Sequence, residues 1–202
     1  EKVGVPCLGV IPYQRLVIDD EDSVTERWDE QREGVITIGV VRLRHISNFT
    51  DCTVFDMYPD VKVEYYENQR ELHRADPDLI VIPGSKNTID DIVKLRESRL
   101  EEEILAKHAA GVPVIGICGG YQMMGEVLVD EKGVESDLPS RTSGMGLLPL
   151  KTEFEEEKIR TRVEGAFGQL DGCLGGLSGK SIEGYEIHMG RTAIDRENGA
   201  MD

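Results

Sequence analysis

The stretch Gly116–Gln122, which reads GICGGYQ, decides how this 202-residue sequence is interpreted. The apolar run Val112–Ile117 leads into it and predicts a strand, and residues 121–125 (YQMMG) indicate the start of a helix. Cys118 therefore lies on a strand–turn–helix corner with a glycine two residues to either side. This is the layout of a nucleophile elbow with cysteine in place of serine. Glycines suit the flanking positions because a sharp turn around a strained residue leaves no room for a Cβ.

The cysteine itself has two interpretations. As a nucleophile, Cys118 is favoured as the thiolate by the N–H groups at the start of the following helix. As a structural residue, it is a core cysteine in an apolar strand that runs into a glycine-rich bend. The placed glycines and the switch from strand to helix favour the nucleophile. The three other cysteines, Cys7, Cys52 and Cys173, form no C-x-x-C pair, so we expect no disulfide framework and no zinc site, and a reducing cytoplasm fits best.

The composition argues against several kinds of partner. The formal net charge is −16, from 23 Lys and Arg against 39 Asp and Glu, and no basic patch interrupts the acidic surface. We therefore expect no binding to nucleic acid or to an anionic membrane. No apolar stretch approaches the roughly 20 residues that cross a bilayer, so a cytoplasmic location without a membrane partner is expected. Residues 19–22 are acidic but lack the EF-hand pattern, and no metal site is predicted.

Apolar runs predict the strands that precede the elbow. Val35–Val41 and Leu79–Ile82 are nearly all apolar and rich in β-branched residues. Such runs are typical of strands that are buried on both faces of a parallel sheet. Val61–Tyr66 alternates between apolar and polar residues, which predicts a strand nearer the edge of that sheet.

Helical patterns alternate with these strands. Helices are predicted over Ile89–Leu95 and over residues 100–105, and the apolar stripe of the second helix would leave Glu101–Glu103 facing water. Residues 130–144 are polar and predict a surface loop, and Leu147–Leu150 predicts a return to the sheet. The alternation as a whole predicts a doubly wound, flavodoxin-like α/β fold, in which a mostly parallel sheet carries helices on both faces.

A thiol nucleophile needs a base that accepts its proton, and the chain has four histidines. His73 and His108 lie among charged residues, which indicates surface positions. His45 has no partner motif. His188 is the best placed by sequence, because it ends a predicted strand after the elbow. Glu186 shares a strand face with His188 by the period of two and is placed to orient its imidazole.

The motif GICGGYQ resembles the nucleophile motif of triad-type (class I) glutamine amidotransferases, which carry a glutamine four residues after the cysteine, as Gln122 does here. Three further segments narrow the resemblance to the glutamine amidotransferase domain of the cobyric acid synthase family: residues 46–51 (ISNFTD), 83–88 (PGSKNT) and 184–192 (GYEIHMGRT). Residues 18–23 (IDDEDS) resemble the end of the N-terminal synthetase domain in that family. The resemblance covers nearly the whole chain.

The resemblance implies a domain organisation and an activity. Residues 1–34 would be the tail of the N-terminal synthetase domain and a linker, and residues 35–202 the glutamine amidotransferase domain, truncated at its C-terminus. This domain would hydrolyse glutamine through a thioester on Cys118 without a cofactor of its own. The ammonia would pass to the ATP- and Mg-dependent synthetase domain, which amidates carboxylates of a corrin in cobalamin biosynthesis.

The resemblance also implies site residues. Backbone N–H groups near Gly84, Ser85 and Gly119 are predicted to hold the oxyanion, because two glycine-bearing turns after strands point amides at one spot. Gln122 is predicted to bind in the same site. The family places its general-base histidine in a later GTYLHG segment that this sequence does not contain. Two candidates for the general base therefore remain, His188 and a histidine beyond this chain. We expect the chain alone to hydrolyse glutamine poorly or not at all.

Three alternatives share the elbow. The first is the glutaminase subunit of a lipid II-type amidotransferase, against which residues 46–51 and 18–23 weigh. The second is a catalytically incomplete flavodoxin-like module whose cysteine is a relic. The third is a cysteine peptidase, although Gln122 favours glutamine as the substrate. The cobyrinic acid a,c-diamide synthases also share the cysteine motif, whereas the other three segments favour the cobyric acid synthase family.

Overall fold

The computed structural model describes residues 35–136 and 138–194, so the predicted synthetase tail and linker at residues 1–34 lie outside the described residues. The first part of the chain forms a parallel sheet. Its strands, in chain order, are β1 (Ile36–Val41), β2 (Val61–Tyr66), β3 (Leu79–Ile82) and β4 (Val114–Gly116). They are arranged in the order β2-β1-β3-β4. The chain therefore reverses its direction of travel across the sheet between β1 and β3, which makes this the topological switch point of the fold.

Strand β1 lies inside the sheet, as its largely apolar and β-branched run predicted. It pairs in parallel with β2 over its full length, from Ile36 opposite Val61 to Val41 opposite Tyr66, and with β3 on its other side. Strand β2 lies at the edge, where its alternating pattern placed it. The predicted strands at residues 35–41, 61–66 and 79–82 are thus confirmed.

Helices cover both faces of this sheet. Helices α1 (Gln69–Arg74), α2 (Thr88–Glu97) and α3 (Leu100–Ala109) pack on one face, and a 3-10 segment, Phe49–Met57, follows β1. Two separate apolar cores result. One joins Ile80 and Ile82 to the three helices, and the other joins Ile38, Val40 and Val81 to Cys52 in the 3-10 segment. The doubly wound α/β fold is confirmed.

The prediction that Glu101–Glu103 all face water is wrong for two of the three residues. Glu101 is 8 % exposed and Glu103 is 7 % exposed. Each buried carboxylate has a cationic or ring partner: Arg96 Nε lies 2.6 Å from Glu101, and His73 Nδ1 lies 3.2 Å from Glu103. Helix α3 packs against both α1 and α2, so its flanks are covered as well as its apolar stripe. Only Glu102 stays exposed.

A second four-stranded sheet follows the elbow. Helix α4 (Gly119–Met123) leads to β5 (Val127–Asp130), β6 (Ser140–Ser143), β7 (Leu150–Ala166) and β8 (Ser181–Ile194). The strand order is β6-β5-β7-β8, and only the β5–β7 pair is parallel. The expectation that Leu147–Leu150 returns to the first sheet is therefore wrong, because β7 pairs with β5. The loop expected at residues 130–144 contains strand β6.

Strands β7 and β8 form a long antiparallel hairpin. Near Thr152 and Phe154 the hairpin is buried against the rest of the molecule. Beyond the irregularity between Phe154 and Ile159 the two strands pair from Ile159 opposite His188 to Ala166 opposite Ser181. We call residues 159–166 and 181–188 the outer hairpin. Most of its residues are exposed.

Candidate active site

Cys118 occupies a strained corner between the parallel sheet and helix α4. Its backbone angles are φ 48° and ψ −108°, a conformation that a non-glycine residue rarely adopts. The residue before it is anchored, since Ile117 N–H donates to the Ile82 carbonyl at 2.9 Å. The residues after it begin α4, and Gln122 N–H donates to the Cys118 carbonyl at 3.0 Å. Cys118 is exposed, whereas Cys52 is buried.

The flanking glycines are required by the packing around this corner. A Cβ on Gly116 would lie 2.6 Å from Met124 Sδ and from the backbone nitrogen of Tyr121. A Cβ on Gly120 would overlap the carbonyl oxygen of Ile82. Contacts this short do not occur in folded proteins, so both glycines let the elbow pack directly on β3 and on its own helix. The predicted strand–turn–helix layout is present.

The turn after β3 faces the elbow. A Cβ on Gly84 would lie 3.8 Å from the Cβ of Cys118, and a Cβ on Gly119 would lie 2.9 Å from the backbone nitrogen of Ser85. Gly119 also faces Thr88 Oγ1, at 3.1 Å from the same Cβ position. The structure therefore brings three of the predicted site residues, Gly84, Ser85 and Gly119, together beside Cys118.

This turn is joined to the segment after β1. Ser47 N–H donates to the Gly84 carbonyl at 3.0 Å, and Lys86 N–H donates to the His45 carbonyl at 2.7 Å. The segments after β1 and β3 meet here because the carboxyl ends of neighbouring parallel strands lie at the same edge of the sheet. The switch point between β1 and β3 is where doubly wound folds bind their ligands. Cys118 follows β4 at the same edge.

A buried carboxylate that the sequence interpretation missed lies under the turn. The Asp91 side chain is fully buried in α2 and accepts a hydrogen bond from Ser85 Oγ at 2.6 Å. It also lies 3.1 Å from His45 Nδ1. No partner motif was expected for His45 from the sequence, but the structure gives its ring a partner in the Asp91 carboxylate. One ligand atom each from His45, Asp90 and Asp91 lies within 4.8 Å of the others, but the hydrogen bonds of Asp91 already give its carboxylate a structural role.

A second carboxylate reaches the turn from the loop between β5 and β6. Glu135 accepts a hydrogen bond from Thr88 N–H at the start of α2. Burial raises the pKa of Glu135, and the N–H of Thr88 acts in the opposite direction. The loop itself is held by buried Asp130, which accepts from the N–H groups of Val134 and Ser136. Burial acts to raise the pKa of Asp130, but these N–H groups together lower it.

Gln122 points away from the elbow toward the second sheet. It is 7 % exposed, and a Cβ on Gly190 would lie 2.8 Å from its Nε2. Its amide therefore packs on β8 at a glycine, which leaves it room. Because Gln122 lies in the short helix α4, its side chain connects the elbow to the strand that carries His188. Its binding of substrate stays a prediction.

His188 and Glu186 form the pair that strand alternation predicted. His188 Nε2 lies 2.7 Å from Glu186 Oε1, and both side chains are partly exposed. Nδ1 of the ring is buried and has no hydrogen-bond partner among the described residues. The carboxylate thus orients the ring through Nε2. Whether His188 acts as a general base stays a prediction.

A strained, exposed cysteine at the carboxyl edge of a doubly wound sheet, faced by a glycine-bearing turn, defines the class of nucleophile-elbow enzymes. The family model of the CobB/CobQ-like glutamine amidotransferase domain matches residues 37–201. The chain therefore belongs to this family of glutamine amidotransferase domains.

Curated relatives narrow the comparison. The chain is 50 % identical over 198 residues to the cobyric acid synthase of Ruminiclostridium cellulolyticum, an alignment that covers 97 % of this chain and 38 % of that protein. It is 46 % identical over 195 residues to the cobyric acid synthase of Salmonella arizonae, with coverage of 95 % and 38 %. The chain thus spans less than two fifths of the length of these relatives.

Among solved structures, one titled as a glutamine amidotransferase aligns with a TM-score of 0.49 at 19 % sequence identity, over 76 % of this chain and 71 % of that chain. Within residues 35–136 and 138–194, no helix combines the length and the apolar character that a membrane crossing requires.

Proposed function

We propose that this chain is the glutaminase domain of a cobyric acid synthase and that it releases ammonia from glutamine through a thioester on Cys118. The proposal rests on the strained Cys118, which stands beside the turn that contains Gly84 and Ser85. The identity to cobyric acid synthases supports the particular assignment. The elbow supplies the nucleophile, and the turn supplies the backbone N–H groups that amide hydrolysis needs.

The first step is attack of the Cys118 thiolate on the carboxamide carbon of glutamine. A C–S bond forms, and the carbonyl oxygen becomes a tetrahedral oxyanion. The backbone N–H groups of Ser85 and Gly119 lie on facing turns and stabilise that oxygen, with Gly84 leaving space for it. Gln122 supports the elbow from the side of the second sheet.

In the second step the C–N bond breaks and ammonia leaves with a proton returned by the general base. A γ-glutamyl thioester remains on Cys118, and water hydrolyses it to glutamate and the free thiol. The base is His188, oriented by Glu186, or a histidine outside this chain. The ammonia then passes to an N-terminal synthetase domain, which uses ATP and Mg to amidate carboxylates of a corrin.

The decisive experiment is the pH dependence of Cys118 alkylation by an electrophilic glutamine analogue, read by intact mass. Wild type is compared with His188→Ala, and Cys118→Ala is the control for the site of labelling. Buried Cys52 serves as an internal reference, because an unselective reagent would reach it only on unfolding. Selective labelling of Cys118 is expected.

The outcomes separate the two bases. A shifted pH profile in His188→Ala identifies His188 as the working base. An unchanged profile with selective labelling places the base outside this chain. Labelling no faster than that of a free thiol would overturn the proposal and leave the catalytically incomplete flavodoxin-like module.

A further inference from the structure

We propose that Asp91 is a positioning residue of the glutaminase site, whose buried carboxylate holds the Ser85 backbone N–H against Gly119 for the oxyanion. The inference rests on the proposed function, because it assigns a supporting residue to that site. Asp91 does not touch the reacting atoms. It acts through the turn at residues 83–88.

The contact between Asp91 and the turn is direct. Ser85 Oγ donates to Asp91 Oδ2 at 2.6 Å, a length typical of a strong hydrogen bond to a charged acceptor. The same Oγ accepts from Asn87 N–H at 3.0 Å. The Ser85 side chain is thus held from both sides. Because Oγ is only two bonds from Cα, the orientation of the Ser85 peptide is held as well.

The carboxylate also ties down the neighbouring segment. His45 N–H lies 3.1 Å from Asp91 Oδ1, and His45 Nδ1 lies 3.1 Å from the same oxygen. His45 in turn accepts the N–H of Lys86 through its carbonyl, inside the turn. One buried group therefore links the segments after β1 and β3. A fully buried carboxylate is expensive unless it is satisfied in this way.

Asp91 is mounted on a rigid element. It lies in the first turn of α2, where the backbone N–H groups favour a negative charge. Asn87 caps this helix by accepting from Asp90 N–H at 2.9 Å. Ile92, the next residue, is fully buried in the core. A supporting group on such an element holds its partners within the narrow tolerance that catalysis requires.

The chemical consequence concerns the oxyanion and not the thiol. A donor stabilises the tetrahedral intermediate only if it already points to where the negative charge develops. Asp91→Asn keeps the size of the side chain but replaces one acceptor oxygen with an NH₂ group, which is a donor only. The side chain then no longer has one acceptor oxygen for Ser85 and another for His45. The turn at residues 83–88 then relaxes, and the Ser85 N–H no longer points to the oxyanion.

Two reagents for Cys118 distinguish this role from a general structural one. A chloromethyl ketone analogue of glutamine reacts with developing negative charge on its carbonyl oxygen, as the C–S bond forms and chloride leaves. Iodoacetamide alkylates the same thiol by direct displacement of iodide, with no oxyanion. Rates are measured by intact mass on the full chain, in wild type, Asp91→Asn, Ser85→Ala and Asp90→Asn.

We expect Asp91→Asn to slow the chloromethyl ketone by about 10- to 100-fold, the scale of a misplaced catalytic group. Its iodoacetamide rate should stay near that of wild type. Asp90→Asn is the matched control. Asp90 precedes Asp91 on the same helix and lies 3.5 Å from His45 Nδ1, yet it is partly exposed. It should change neither rate.

Ser85→Ala keeps the backbone N–H but removes both hydrogen bonds of Oγ, the one to Asp91 and the one from Asn87, so it should slow the reaction with the ketone in the same direction. This variant tests the proposal even if Asp91→Asn fails to fold. An equal loss with both reagents, or no change in either variant, overturns the role of Asp91. A wild-type Cys118 that fails to react faster with the ketone than a free thiol overturns the proposed function instead.

Discussion

The parallel sheet and the outer hairpin of the second sheet use strands in opposite ways. Strand β3 of the parallel sheet is buried at Ile80, Val81 and Ile82. In the outer hairpin, Tyr185 is 75 % exposed and Ile187 is 51 % exposed. The first region is held by two apolar cores, whereas the outer hairpin is held chiefly by the pairing of its own two strands.

This difference explains where the candidate site lies. A strained cysteine persists only if its surroundings over-determine its backbone. The buried end of β3 supplies that support, because Ile117 N–H donates to the carbonyl of fully buried Ile82. A two-stranded ribbon does not, because on its own it is marginally stable in water. His188 lies where the outer hairpin begins, next to the buried part of the second sheet.

The largest effect is expected in the core under the parallel sheet. Ile92 is fully buried in α2, so Ile92→Ala should lower the free energy of unfolding by about 2–5 kcal/mol through lost burial and the cavity left behind. Urea denaturation measures the change. Val163→Ala, in the outer hairpin, is the matched control and should change it by less than about 0.5 kcal/mol. Similar losses for both variants would remove the contrast.

The next effect is expected at the loop between β5 and β6, which reaches the start of α2 through Glu135. Asp130 is fully buried and accepts N–H groups of Val134, Glu135 and Ser136, so Asp130→Asn should lose about 1–3 kcal/mol at neutral pH. Its pKa is lowered in the folded chain, so its contribution is present above the ordinary value of 3.8 and is lost as pH falls through the lowered value. Urea curves from neutral pH downward should show this loss in wild type alone. Parallel curves would contradict it.

A smaller effect of opposite sign is expected at Glu135. Burial raises its pKa in the folded chain, so the folded state holds its proton more tightly than the unfolded state between the ordinary value of 4.5 and the raised value. Stability should therefore fall as pH rises through that window. Glu135→Gln should flatten this part of the pH profile in thermal unfolding. A steeper fall in the variant would show that the hydrogen bond from Thr88 outweighs burial.

The smallest effect is expected at the exposed end of the hairpin. Tyr185 faces Arg162 across the strand pair but is largely exposed, so Tyr185→Ala should change the free energy of unfolding by less than about 1 kcal/mol. Calorimetry on the full chain measures it. A loss as large as that of Ile92→Ala would mean that another surface covers the outer hairpin.

Much of the first region could be predicted from the sequence. Each of its features has a pattern in consecutive residues. Apolar runs predict the buried strands, alternation predicts the edge strand β2, and flanking glycines predict the elbow at Cys118. The juxtaposition of Gly84, Ser85 and Gly119 was implied by the family resemblance and by two glycine-bearing turns that each follow a strand. The pair His188 and Glu186 followed from the strand period.

The second sheet and the supporting carboxylates could not be predicted in this way. Leu147–Leu150 resembles any short apolar strand, and nothing in its residues says which sheet it joins. Asp90 and Asp91 are adjacent and identical in type, yet one is fully buried and the other partly exposed. Glu101 and Glu103 were expected in water because a charged residue on a helix usually faces it, and here neighbouring helices cover them.

The sequence by itself therefore determined the strands of the first sheet, the fold class and the elbow at Cys118, since these depend on patterns within a few turns of chain. Tertiary structure alone decided which carboxylate lies beneath the turn at residues 83–88, which sheet receives β7, and where Gln122 points. The physical reason is that burial and hydrogen-bond partners depend on residues far apart in the sequence, such as Thr88 and Glu135, which are 47 positions apart. Such distances are closed only when the chain folds.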